Sequence, residues 1–214
     1  MHYIDGEWVQ PDAGRYDVIN PATGKVIAAA PDASPTQVQT AIEAARRAFD
    51  SGPWSTAEPS ERARCLRQLS SALLDASSET CELAQAEWGC TANERLIQVD
   101  GPAFMAGRAA ELALEPAEAP MDAWGAAGTT LLRYEPVGVV AAMTPWNFPH
   151  TLNVMKLGTA LAAGNTLVLK PSPLTPLAGL ALARIIDEHT DIPPGVVNVV
   201  TPSGVEASRL LTLD

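Results

Sequence analysis

Three short apolar runs, Val137 to Met143, Thr166 to Leu169 and Val196 to Val200, alternate with two segments of helical pattern, Thr151 to Ala162 and Leu177 to His189. Apolar strands separated by helices of about a dozen residues predict a parallel sheet covered on both faces, with right-handed crossovers. The first run leads into Thr144-Pro145-Trp146-Asn147-Phe148-Pro149, a turn bracketed by prolines. Each proline fixes a φ angle and biases the residue before it toward extended geometry. A strand, such a turn and then a helix is the kind of corner where open α/β sheets hold ligands, outside the carboxyl ends of their strands. Three strands make half of a doubly wound sheet, and the other half is expected to follow Asp214.

The N-terminal part reads as hairpins and helices. Tyr3 to Val9 is a tight hairpin turning at Asp5-Gly6, and Val18 to Ile27 is a second with a longer turn. Both read as ordinary edge ribbons. Ser34-Pro35-Thr36-Gln37 predicts a helix start with a capping box, and Val38, Ile42, Ala45 and Phe49 then give one buried stripe. A second helix starts near Pro59 with Leu66, Leu69 and Leu73, and a third runs from about Ser78 to Trp88. Asp100-Gly101-Pro102 interrupts a fourth, which restarts with Phe104, Arg108 and Leu112. From Glu115 to Gly128 the composition suits a loop or linker, and Thr129 to Tyr134 reads as a strand.

Composition excludes several function classes. A net charge of −11 and no basic run argue against nucleic acid or an anionic membrane surface as partner. No apolar stretch approaches the ~20 residues of a membrane helix. The start of the chain lacks the apolar segment of a signal peptide. Cys65, Cys81 and Cys90 are odd in number and lack metal-ligand spacing, so the expectation is a cytoplasmic protein with structural thiols.

Chemistry concentrates at the strand ends. Asn147 offers two N–H donors and one acceptor. It either ties its own turn together, the reading that local chemistry favours, or donates to an oxyanion, a bond worth ~3 kcal/mol of barrier. Lys170-Pro171-Ser172 closes the second strand at the same edge, and its lysine is either a nucleotide ligand or a surface charge. His150 reads as a solvated residue at a helix start rather than a base. Lys156 faces solvent or the crevice, which pattern alone leaves open. Thr201-Pro202-Ser203-Gly204 is a weak phosphate-loop candidate with a single glycine.

The motifs Glu135-Pro136-Val137-Gly138-Val139-Val140, Pro145-Trp146-Asn147-Phe148-Pro149, Ala160 to Thr166, Lys170-Pro171-Ser172 and Pro194-Gly195-Val196-Val197-Asn198-Val199-Val200 resemble the N-terminal half of the NAD(P)-dependent aldehyde dehydrogenase superfamily. Asn20-Pro21-Ala22-Thr23-Gly24 is similar to that family's opening. The resemblance implies an α/β fold: N-terminal helices and hairpins, then a partial doubly wound, Rossmann-like parallel sheet, with the second half of the sheet and the catalytic domain missing. It implies Asn147 as oxyanion donor and Lys156 as a lysine near the active site. Thr144, Pro145, Trp146, Lys170, Ser172 and Pro173 would meet the cofactor, NAD or NADP.

Two departures matter. Pro173 stands where the family often has a glutamate for the ribose hydroxyls, which leaves the choice between NAD and NADP open. Pro202 replaces a common glycine and removes a backbone N–H. The family's cysteine nucleophile and glutamate base lie beyond the matched region. The resemblance therefore implies the N-terminal part of an enzyme that oxidises a small-molecule aldehyde to an acid, inactive alone and completed by a C-terminal half or homologous subunit. As a full-length protein it would be a homo-oligomer. The alternative is a non-catalytic remnant that binds nucleotide weakly or associates with full-length homologues. The implied division is a hairpin and helical part over 1–128, an arm strand over 129–136, and the first βαβαβ half of the cofactor sheet over 137–214.

Overall fold

In the computed structural model, which describes residues 1–94, 96–121, 128 and 130–212, the first turn is the expected Asp-Gly one. Strands β1 (His2–Ile4) and β2 (Glu7–Val9) pair antiparallel across it. Asp5 (φ 55°) and Gly6 (φ 80°) both take left-handed angles, as a two-residue I′ turn requires. Strands β3 (Arg15–Ile19) and β4 (Val26–Pro31) form the second hairpin as a separate sheet.

Helix α1 (Pro35–Ser51) starts where predicted, with the Ser34 hydroxyl accepting from the Gln37 amide at 3.2 Å. The expected reciprocal arm is replaced. Asp12 accepts from the Ser34 amide at 3.0 Å, while the Gln37 side chain donates to the Gln10 carbonyl at 2.6 Å. The buried stripe is Val38, Ala41, Ala44, Ala45 and Ala48, with Ile42 and Phe49 only half-buried at its margins. Helix α2 (Pro59–Asp75) buries Leu66, Leu69 and Leu73 as its periodicity predicts, and α3 (Ser77–Glu87) ends at Trp88-Gly89.

A π-helical turn over Leu96–Asp100 leads into α4 (Gly101–Leu112). Here the helix is as expected but its phase is not. Phe104 is 70% exposed, Arg108 and Leu112 also face outward, and the buried face is Ala103, Ala106, Ala109 and Ala110. Small residues let α4 pack closely on α5 (Pro149–Ala162), and a methyl group at Gly158 of that helix would lie 3.1 Å from the Ala109 Cβ. The interval read as a linker forms strand β5 (Glu118–Met121), paired with β6 (Thr130–Arg133). Pro120 is tolerated because a two-stranded ribbon leaves one side of each strand unpaired. Residues 122–127 of the proposed linker, and Thr129 at the proposed strand start, lie outside the described residues.

The remainder alternates as predicted: β7 (Val139–Met143), α5 (Pro149–Ala162), β8 (Thr166–Lys170), α6 (Pro176–His189), β9 (Val197–Val199) and the short α7 (Val205–Arg209). Strands β7, β8 and β9 are parallel, in the order β2-β1-β9-β8-β7. The first hairpin is thus not a free ribbon: β1 pairs antiparallel with β9 through Tyr3 and Val199 and covers that edge of the sheet. The Tyr3 hydroxyl and Trp8 indole hold it down by donating to Asp187 of α6 at 3.3 and 2.8 Å. At the other edge β7 has no second strand among the described residues.

Alternation along β8 splits the core between two faces. Leu167 and Leu169 pack with α2, α4, α5 and α6, whereas Val168 packs with Val38, Ala41 and Ala45 of α1. Leucines 157, 161, 167 and 169 are fully buried, each contributing roughly 1.5–3 kcal/mol by leaving water. A sheet covered on both faces fixes the strand ends against rigid helices, and the polar turns hang from those ends. No helix among the described residues is long and apolar enough to cross a membrane.

Candidate functional site

The strand register brings two of the marked segments together. Met143 pairs with Lys170, so the turn after β7 and the turn after β8 leave the sheet side by side. The ladder runs one step further, the Thr144 amide donating to the Lys170 carbonyl at 3.1 Å. Thr144 is buried, and its hydroxyl donates to the Asn153 Oδ1 at 2.6 Å. Asn153, fully buried in α5, thereby pins the turn to the helix that follows. Pattern reading passes over Asn153. Its one signal is an amide at a position where an apolar helix face would carry a hydrocarbon.

Between those anchors Pro145 and Trp146 are exposed, Trp146 at 52%. Asn147 is half-buried, and among the described residues its side chain has no hydrogen-bond partner. Its amide does not tie the turn together. Phe148 supplies the grip instead, its ring 5.4 Å from that of Trp88, and Pro149 takes the first helical position of α5.

Lys170 ends β8 and is only 9% exposed. Its ammonium donates to the Pro171 carbonyl at 3.4 Å, and burial lowers its pKa. The turn beyond it is knit internally: Ser172 accepts from the Leu174 amide at its hydroxyl (3.2 Å) and from the Thr175 amide at its carbonyl (3.0 Å). Pro173 is half-buried. Lys156 is not part of this cluster. It is exposed on α5, about two turns or roughly 10 Å beyond the helix start.

The candidate phosphate loop after β9 is already occupied by protein groups. The Ser203 amide and hydroxyl donate to Asp32 at 2.8 and 2.5 Å, and the Thr201 hydroxyl donates to the Pro31 carbonyl at 2.6 Å. A carboxylate in that position opposes a phosphate. Among the described residues the corner at β7 and β8 instead keeps donors in hand, the Asn147 amide and the Lys170 ammonium. The groove of about 930 Å³ lies elsewhere, near the far end of α5, between Arg62, Glu115, Arg133 and Tyr134. Among the described residues no group of three or more His, Cys, Asp or Glu is placed to hold a metal ion.

His150 is not the solvated residue expected. Its side chain borders a cavity of about 10 Å³ with Leu73, Thr80, Pro102, Val154 and Leu182. Burial pushes its pKa down from 6.5 to about 4, which keeps the imidazole neutral at pH 7. His2 is also buried, chiefly by desolvation held at about 4. A histidine whose folded pKa is depressed takes up protons first in the unfolded chain, so stability falls as pH drops from 6.5 toward 4. Glu87, raised by burial to about 7, acts oppositely over much of that window, so the parent must be compared with a variant. His150→Leu is expected to lose about 2 kcal/mol less than the parent between pH 7.5 and 5 in urea titrations. Identical pH slopes would show that His150 is solvated.

The thiols are as expected except at Cys81, which burial reaches only in part. Cys65 and Cys90 are buried, and Cys81 is half-buried on α3. Desolvation pushes the thiols of Cys65 and Cys90 up, away from the thiolate.

Known proteins share this fold. A model of the aldehyde dehydrogenase family matches residues 8–214. A 3-sulfolactaldehyde dehydrogenase of Pseudomonas putida is 36% identical over 98% of the chain and 43% of its own length. The structure of an NAD-dependent aldehyde dehydrogenase from Sinorhizobium meliloti superimposes with a TM-score of 0.91 at 32% identity, over 100% of this chain and 43% of that one. An NADP-dependent enzyme of E. coli gives 0.90 at 33% identity, over 99% and 44%. The chain spans about two fifths of the length of such relatives and corresponds to their N-terminal, Rossmann-like part. With all but seven of its 214 residues inside the family's pattern, the chain belongs to the aldehyde dehydrogenase family.

Proposed function

We propose that this chain is the cofactor-holding N-terminal part of an enzyme that oxidises an aldehyde to a carboxylic acid. The observation that carries the reading is the pairing of Met143 with Lys170, which brings the turn that holds Asn147 and the strand end that holds a buried ammonium to one edge of the sheet, each with donors left over among the described residues. A lysine this buried, with one long contact and two N–H groups unused among the described residues, fits the hydroxyls of a nucleotide ribose. Lys170 and Ser172 would hold the adenosine side of NAD or NADP, and Thr144, Pro145 and Trp146 would line its crevice. When bound, that cofactor accepts hydride.

Asn147 would donate to the oxygen that becomes negative when the aldehyde carbonyl is attacked, a donor of the kind worth about 2.7–4 kcal/mol. The attacking thiol and the general base would come from residues other than these 214. Pro173 presents no carboxylate to repel a 2′-phosphate, and the family resemblance extends to both NAD- and NADP-dependent structures, so either dinucleotide is compatible. Lys156, exposed on α5, would approach the site only from its rim.

The proposed division keeps 1–128 and 137–214 as parts of the cofactor domain and 129–136 as an arm strand. Met121, Leu131 and Tyr134 are exposed on the β5–β6 ribbon, which suits contact with a neighbouring subunit. The unpaired edge of β7, with Met143 40% exposed, favours the alternative of a piece that associates with a homologous chain.

Titration with NAD+ and NADP+ tests the site. Lys170→Met is expected to weaken binding about tenfold, the loss of a charged hydrogen bond to the ribose. Equal affinity in parent and variant would remove Lys170 from the site.

A further inference from the structure

Helix α6 begins directly after the turn that carries Lys170 and Ser172, yet it lacks a local cap. Thr175 holds the N-cap position without a side-chain hydrogen bond, and among the described residues its buried hydroxyl has no partner. The first-turn amides of α6 are instead satisfied from another helix. Glu87, at the end of α3 and 2% exposed, accepts from the Leu177 amide at 2.5 Å and the Ala178 amide at 3.0 Å. One carboxylate thus takes both donors that a capping side chain in α6 would have shared.

The clamp extends into the turn. Gly179, one residue past Ala178, lies against Pro171, where a methyl group would sit 2.8 Å from the ring Cγ. The Thr175 amide donates to the Ser172 carbonyl at 3.0 Å, which ties the turn to the residue that opens α6. Trp88, the residue after Glu87, packs at a tilt against Phe148, the neighbour of Asn147. The end of α3 therefore touches both turns that leave the sheet at this edge.

We propose that Glu87 is a positioning residue for the dinucleotide: by clamping the start of α6 it fixes the 171–175 turn so that Lys170 and Ser172 meet the ribose together. The inference rests on the nucleotide site proposed above. It predicts a separation between local and global effects. Glu87→Gln keeps the shape and one acceptor, leaving the second amide facing an N–H group. Glu87→Ala removes both acceptors.

The test pairs calorimetric titration of the 214-residue chain with NAD+ and amide hydrogen exchange, at a temperature where all variants are fully folded. The expected result is NAD+ affinity about tenfold weaker in Glu87→Gln, and weaker still in Glu87→Ala. Exchange should rise about tenfold at residues 174–178 while β8 and β9 stay protected. If the parent binds NAD+ and Glu87→Gln binds it equally well, the positioning role is overturned while the site stands. Exchange raised evenly along the chain would make Glu87 a general stabiliser and overturn the role too. If the parent binds no NAD+, the site itself falls, and a local exchange effect then marks Glu87 as a helix cap alone.

Discussion

Supplied with an aldehyde and either NAD+ or NADP+, the purified 214-residue chain is expected to give no steady absorbance increase at 340 nm. The reason is the placement of its thiols. A cysteine nucleophile acts as thiolate, and its surroundings must lower its pKa. Cys65 and Cys90 are shifted the other way by burial. Cys65 also sits at the wrong end of the sheet: the adjacent Arg64 pairs with Asp191, beyond the C-terminal end of α6, whereas Thr144 and Lys170 lie at the opposite strand ends. Cys81, half-buried on α3, accepts a contact from Gln85 of its own helix at 3.7 Å. Without covalent attack the acceleration lost is on the order of 10⁶-fold, and Asn147 alone recovers little of it. Steady turnover that disappears on alkylating the thiols would overturn this placement, and with it the reading of the chain as an incomplete catalyst.

How much of this is legible in the residues depends on the range of the interaction. The corner is legible because its causes are local. Prolines 145 and 149 bracket the turn, Lys170 ends an apolar run, and Gly164 closes a helix where its φ of +85° demands glycine. The pairing of β1 with β9 is not, since a three-residue strand carries too little pattern to name a partner at the far end of the chain. The phase of α4 misleads because large apolar side chains suggest burial. Close helix packing selects alanine and glycine, which leaves Phe104 outside. His150 misleads for a related reason: a polar residue after a proline suggests solvent, and only the approach of α2, α3 and α6 buries it. Glu87 carries no readable signal, because its partners are backbone amides 90 residues downstream and amides leave no trace in composition.

Gly195→Ala is expected to remove about 3–5 kcal/mol, a large share of the ~5–15 kcal/mol that holds a domain together. Gly195 enters β9 at φ +76°, where a side chain costs about 1–2 kcal/mol on backbone grounds alone. Crowding costs more. A methyl group there would lie 2.8 Å from the Asp5 Oδ1, 3.0 Å from the Ala48 Cβ and 3.1 Å from the Ala44 carbonyl. The last two belong to α1, which cannot retreat without opening its contacts with Val168 on β8. The same position anchors Asn198, whose amide donates to the Gly195 carbonyl at 2.7 Å while its Oδ1 accepts from the Asp5 amide at 2.9 Å. Displacing Gly195 therefore loosens the first hairpin from the sheet as well as α1. Gly14→Ala isolates the backbone cost, since Gly14 has φ +90° and nothing within 4 Å of an added methyl group. That variant should lose only about 1–2 kcal/mol. Urea unfolding followed by far-ultraviolet circular dichroism would compare the two. Equal midpoints would mean that the junction of α1, the hairpin and β9 yields freely, contrary to the packing that holds the strand ends in place.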